Sequence, residues 1–125
     1  MISRQEAIKI HQILIKRYGG IQGIRDLALL ESALERPYSG LEKNEFYPST
    51  EEKASAIIES IVKNHPFYDG NKRTGYVLMR LTLLQNNLDI KTSKNDKYQF
   101  VIAIASGELE FEDILDWIKE RIIEK

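Results

Sequence analysis

The chain has no cysteine, only three prolines among its 125 residues, and no apolar run near the roughly 20 residues that a membrane-spanning helix needs. The missing cysteine excludes disulfides and any cysteine-ligated zinc or iron–sulfur site, and suits a reducing compartment. An excess of charge is missing too. The 18 basic residues are met by 19 acidic ones, a net charge of −1, which argues against coating nucleic acid or an anionic membrane. Neither direct nucleic-acid binding nor a membrane role is therefore expected. The opening Met1-Ile2-Ser3-Arg4-Gln5-Glu6 lacks the apolar stretch of a signal peptide, so a cytoplasmic protein is the expectation. What the chain does have is 42% hydrophobic residues, enough for one domain spanning 1–125 whose folding removes about two-thirds of the unfolded surface from water.

With few prolines and no long alternation of apolar and polar residues, the sequence predicts an all-α fold, a compact bundle of about six helices. Ser3 and Glu6 form a capping-box pattern, and Ile8, His11, Ile15 and Tyr18 follow at helical spacing until Gly19-Gly20. His11 reads as a packing residue. A second helix is expected after Asp26, with Leu27, Leu30 and Leu34 on one face, stopping at Pro37. Pro37 to Pro48 has no clear period and reads as a loop or short hairpin. Ser49 to Glu52 looks like the cap of a third helix whose stripe is Ala54, Ile57, Ile58, Ile61 and Val62. A fourth is expected from about Asn71 to Asn86, burying Val77, Leu78, Leu81 and Leu84; a fifth after Ser93, with Phe100, Val101 and Ile104; and a last one with Ile114, Trp117, Ile118 and Ile122.

One stretch departs from helix punctuation: His65-Pro66-Phe67-Tyr68-Asp69-Gly70-Asn71-Lys72-Arg73-Thr74-Gly75. Pro66 disfavours the helical conformation at His65, so the third helix should end there and the chain should turn through Asp69-Gly70 into the fourth. The turn delivers a helix N-terminus, with free N–H groups and the positive end of the helix dipole. Lys72 and Arg73 oppose that dipole by a few tenths of a kcal/mol each, which an anionic ligand such as a polyphosphate would offset. Asp69 suits a magnesium site completed by phosphate oxygens and water, and His65 can take a proton from a hydroxyl near neutrality. Each residue also has a plainer use: a histidine ending a helix, an aspartate capping the next one, two cations on a wet face. Phe67 reads as an anchor into the core under either view. The combination in this order is what favours chemistry.

These residues resemble the signature of the Fic/Doc superfamily, H-x-F-x-D/E-G-N-G-R-x-x-R, on which His65, Phe67, Asp69, Gly70, Asn71 and Arg73 all fall. Lys72 stands where most members have glycine, and Tyr76 where they have the second arginine. Both departures, with the run Asn71-Lys72-Arg73-Thr74, resemble the Doc (death-on-curing) branch, as does the stretch from Gly23 to Pro37. The resemblance implies a helical fold, ATP with Mg2+, and transfer of a phosphate-containing group to a protein hydroxyl. His65 would be the general base and Asp69 the metal ligand, while Gly70, Asn71, Lys72 and Arg73 would hold phosphate. For the Doc branch it implies a kinase toxin acting on a threonine of elongation factor Tu, blocking translation and silenced by a cognate antitoxin.

Lysine in place of glycine has a physical reading of its own. It fills part of the pocket for the distal phosphates and moves its charge, so the nucleotide can lie reversed and offer a different phosphorus to the acceptor. Two alternatives stay open: a nucleotidyl transferase modifying a protein hydroxyl with AMP, and a non-enzymatic helical binding module. The resemblance also raises an internal inhibitory helix, S/T-x-x-x-E-G/N. Ser55 to Glu59 fits its first part, but Ser60 follows and the partner arginine is absent, so control by a separate protein is expected. Arg25 and Arg80 are candidates for the missing second arginine on charge alone. The segment from Pro37 to Pro48 resembles in position the flap that aligns acceptor peptides.

Overall fold

The computed structural model describes all 125 residues. It is mostly helical: six α-helices and two small antiparallel strand pairs. Helix α1 (Arg4–Tyr18) opens with the Ser3/Glu6 capping box and stops at Gly19. Helix α2 (Leu27–Glu35) is capped by the Asp26 carboxylate, which accepts from the Leu29 N–H; it ends before Pro37 as expected, and a 3-10 turn at Arg36–Tyr38 follows. A short hairpin follows, β1 (Gly40–Leu41) against β2 (Asn44–Glu45). The Ser49/Glu52 capping box starts α3 (Thr50–Asn64), and after the motif turn comes α4 (Asn71–Leu84). Strand β3 (Leu88–Ile90), α5 (Lys94–Ala105), α6 (Phe111–Arg121) and β4 (Ile122–Glu124) complete the chain. No helix is long and apolar enough to cross a membrane.

Helix α3 is the axis of the core. Its stripe Ala54, Ile57, Ile58, Ile61 and Val62 is buried, and the helix packs along α4 while touching α2, α5 and α6. Each such isoleucine stabilises the fold by about 1.5–3 kcal/mol relative to exposure. The α3–α4 crossing is close because of Gly75, where a Cβ would stand 2.9 Å from Val62 Cγ2. That close approach ties the end of α3 to the start of α4, the two ends that carry the motif.

Three expectations need correction. The α4 face is rotated: Leu78, Met79 and Leu83 are buried, whereas Val77, Leu81 and Leu84 are half-buried, because Thr74, Gly75 and Tyr76 are also turned inward against α3. Tyr18 and Leu27 stand out at the surface, 55% and 43% exposed, beyond the ends of the faces they were assigned to. The last helix stops before Ile122, because residues 122–124 pair with β3, Ile90 opposite Ile122 and Leu88 opposite Glu124.

That strand pair carries a buried charge. Asp89 is 4% exposed and takes a two-pronged bond from Arg80, Nε to Oδ1 at 2.9 Å and Nη2 to Oδ2 at 2.8 Å. Arg80 pulls its carboxyl down to about 2, against the opposing effect of burial. A depressed folded-state value adds stability that is present above the unfolded value and lost as pH falls toward 2. With Arg80 partly open to solvent, that contribution is about 1–2 kcal/mol. Thermal melts between pH 7 and pH 2.5 should therefore show a loss below pH 4 that is smaller by this amount in Asp89→Asn; an unchanged acid dependence would refute the assignment.

Candidate active site

The motif turn is held from four sides. His65 follows the last residue of α3 in the left-handed conformation (φ 51°, ψ 60°), its N–H still bonded to the Ile61 carbonyl. Phe67 plunges inward to 1% exposure and stacks on His11 with ring centroids 3.8 Å apart. Asn71, the first residue of α4, turns its side chain back: Oδ1 accepts from the Phe67 N–H at 3.0 Å, and Nδ2 donates to the Phe67 carbonyl at 2.9 Å. On the fourth side lies the α1–α2 loop, where Ile24 bridges Phe67 in antiparallel fashion and the Gly23 carbonyl accepts from the Tyr68 N–H.

His11 is the packing residue the sequence predicts, and it also fastens the site. Its Nε2 lies 2.8 Å from the Asp69 carbonyl, which can only accept, so Nε2 carries the proton. Burial pushes this imidazole below its ordinary value, with the Asp69 carbonyl pulling the other way.

Asp69 does not cap α4. Its Oδ1 takes the Gly70 N–H at 2.9 Å and its Oδ2 the Ile21 N–H at 3.1 Å, and these donors hold the exposed carboxyl below the usual range, with Lys72 adding its charge. It is therefore ionised wherever the chain is folded near neutrality. The position before α4 belongs to Gly70, at φ +74°, where a Cβ would be both strained and 2.8 Å from Ile15 Cδ1. Glycine offers no capping side chain. The first N–H bonded within the helix is that of Thr74, on the Gly70 carbonyl at 2.9 Å, so the N–H groups of Asn71, Lys72 and Arg73 have no helical partner. In the same turn the Thr74 hydroxyl is buried without a hydrogen bond.

His65, Asp69, Lys72 and Arg73 are all exposed. A hollow of about 460 Å³ lies beside α2, lined by Glu31, Glu35 and Arg36 among others, with no motif residue in it. No hydrogen bond or ion pair within the chain engages the His65 ring, and Lys72 pairs with no carboxylate. Arg73 lies over the Tyr18 ring at 4.4 Å. Of the predicted phosphate residues, Asn71 brings only its backbone N–H, since its side chain is committed to Phe67. These donors fit a polyphosphate: three unpaired N–H groups, two exposed cations and the positive end of a helix dipole. Asp69 is the group that suits Mg2+, which takes few protein ligands and completes its shell with phosphate oxygens and water; no cluster of three or more acidic, histidine or cysteine side chains forms in the chain.

Residues outside the motif fall as follows. Glu59 is engaged by Arg36 at 2.9 Å and Lys63 at 3.2 Å. Arg80 is fixed on Asp89, whereas Arg25 lies against the motif, donating from Nε to the His65 carbonyl at 2.6 Å and from Nη2 to the Asn64 carbonyl at 2.7 Å. Only its charge marked Arg25 in the sequence.

A histidine, a carboxylate and an uncapped helix start thus meet on one turn of a helical bundle, the arrangement that the Fic/Doc signature describes. Residues 1–83 match the Fic/DOC family, and the chain belongs to it. It is 39% identical over 59 residues to "Toxin Doc" of Mycolicibacterium smegmatis, a match covering 47% of this chain and 45% of that protein. To "Protein kinase doc" of Escherichia phage P1 it is 27% identical over 118 residues, 94% of this chain and 92% of the other. The resemblance to the Doc branch is thus borne out.

Proposed function

We propose that this protein is a Doc-type toxin that transfers the terminal phosphoryl group of ATP to a protein hydroxyl. The observation that carries the reading is the shared turn: an exposed imidazole at the end of α3, an ionised carboxylate, and three unpaired N–H groups beside Lys72 and Arg73. His65 takes the proton of the acceptor hydroxyl as its oxygen bonds to phosphorus and the bond to the leaving ADP breaks. The N–H groups that follow Gly70, with Lys72 and Arg73, orient the triphosphate. Asp69 would hold Mg2+, which neutralises phosphate charge when bound.

The kinase reading over AMP transfer rests on Lys72 and is supported by the name of the phage relative. The acceptor inferred from the Doc resemblance is a threonine of elongation factor Tu, with translation arrest as the result. The name of the Mycolicibacterium relative, a toxin, supports control by a cognate antitoxin, in the cytoplasm where both would be made.

The test is incubation with a cell-free translation extract and ATP labelled on either the α or the γ phosphate. Label on protein from the γ position alone is the expected outcome. Label from the α position would make the protein a nucleotidyl transferase, and none from either would leave a binding module.

A further inference from the structure

The His65 ring has no hydrogen bond to hold it, so its place is set by the backbone beneath it. That backbone is unusual: a non-glycine residue at φ 51° followed by proline. Such a conformation persists only where surrounding contacts impose it. Three consecutive carbonyls run through the bend, those of Asn64, His65 and Pro66. All three accept from one residue: Arg25 Nη2 donates to Asn64 at 2.7 Å, Arg25 Nε to His65 at 2.6 Å, and the Arg25 N–H to Pro66 at 2.8 Å. The Asp26 N–H shares the Pro66 carbonyl at 3.0 Å.

From this arrangement we infer that Arg25 is the positioning residue for His65, clamping the bend so that the imidazole faces the phosphate end of α4. The inference rests on the reading of His65 as the base. A cation at the C-terminal end of α3 would by itself only cap the helix, and lysine would serve nearly as well. Forking two successive carbonyls in one plane is a different task, which suits a guanidinium and not an ammonium. Nε and Nη2 of Arg25 are each bonded to a carbonyl of the bend, and this backbone task is distinct from that of the second motif arginine.

The experiment compares wild type with Arg25→Ala and Arg25→Lys, the second keeping the charge in case the first folds poorly. The chain has two histidines, so ring signals in a ¹H–¹³C spectrum are few, and buried His11 serves as the internal reference. In both variants the His65 ring signal and amide order parameter should move toward a disordered histidine while His11 stays put. Transfer from labelled ATP to extract protein should fall about 100-fold in Arg25→Ala, the loss expected of a reacting group misplaced by ~1 Å. Apparent KM for ATP should stay within about twofold, since the phosphate donors lie on α4, and guanidinium ion added to Arg25→Ala should restore about tenfold. An unmoved His65 signal in the variants, or a transfer rate close to wild type, would overturn the inference. If His65→Ala labels extract protein as wild type does, or if wild type labels nothing, the function reading fails, and the His65 signal alone then judges the clamp.

Discussion

Replacing His65 with alanine or asparagine is expected to lower transfer from ATP by about 10²- to 10⁴-fold, the usual contribution of a positioned general base. The effect should be confined to chemistry. The side chain is exposed and bonds to nothing in the chain, so no core contact is lost. Asparagine is the more exacting variant, because it accepts the left-handed conformation that the bend requires and still lacks a base at neutral pH. ATP affinity should change little, as the unpaired N–H groups of α4 and the cations Lys72 and Arg73 are untouched. The measurement is single-turnover labelling from γ-labelled ATP alongside nucleotide binding. A variant that labels at the wild-type rate would remove His65 from the reaction and leave the turn as an anion site only.

The parts of this protein legible from its sequence are those decided within a few residues. Ser3 with Glu6, Ser49 with Glu52, Asp26 and Ser93 each name a helix start because a side chain bonds an N–H two or three positions on. Pro66 and Gly70 likewise fix where α3 must stop and α4 begin. What escaped is decided at long range. Strand β4 pairs with residues more than thirty positions away, and three residues carry no alternation to announce it. The rotation of α4 follows from Gly75, whose role appears only when α3 is laid against it. In the site the same division holds: His65 and Asp69 are read from order and spacing, but Arg25 is forty positions from the carbonyl it binds. The order of residues marks Asn71 as a donor to ligand, and its amide instead closes on the Phe67 backbone, a choice that depends on how tightly the turn is wound.

That winding centres on Phe67, and Phe67→Ala should be the most damaging change to stability in the motif. Truncating a phenylalanine that is 1% exposed costs about 3–5 kcal/mol, a large share of the 5–15 kcal/mol typical of a folded domain. The melting temperature should fall by roughly 10–20 °C for a chain of this size. The loss reaches the site because Phe67 lies midway between His65 and Asp69, and because the His11 ring stacked on it is the same ring that donates to the Asp69 carbonyl. With the stack gone, His11 loses its orientation and the turn one of its fastenings. Labelling measured well below the variant's melting point should then drop further than the folded fraction accounts for, and Phe67→Leu, which refills most of the volume without the flat stacking surface, should regain more stability than transfer. A Phe67→Ala protein that melts early yet transfers at full rate while folded would place the anchoring of the site on Asn71 and Arg25 alone, and would separate what stabilises this fold from what arranges its chemistry.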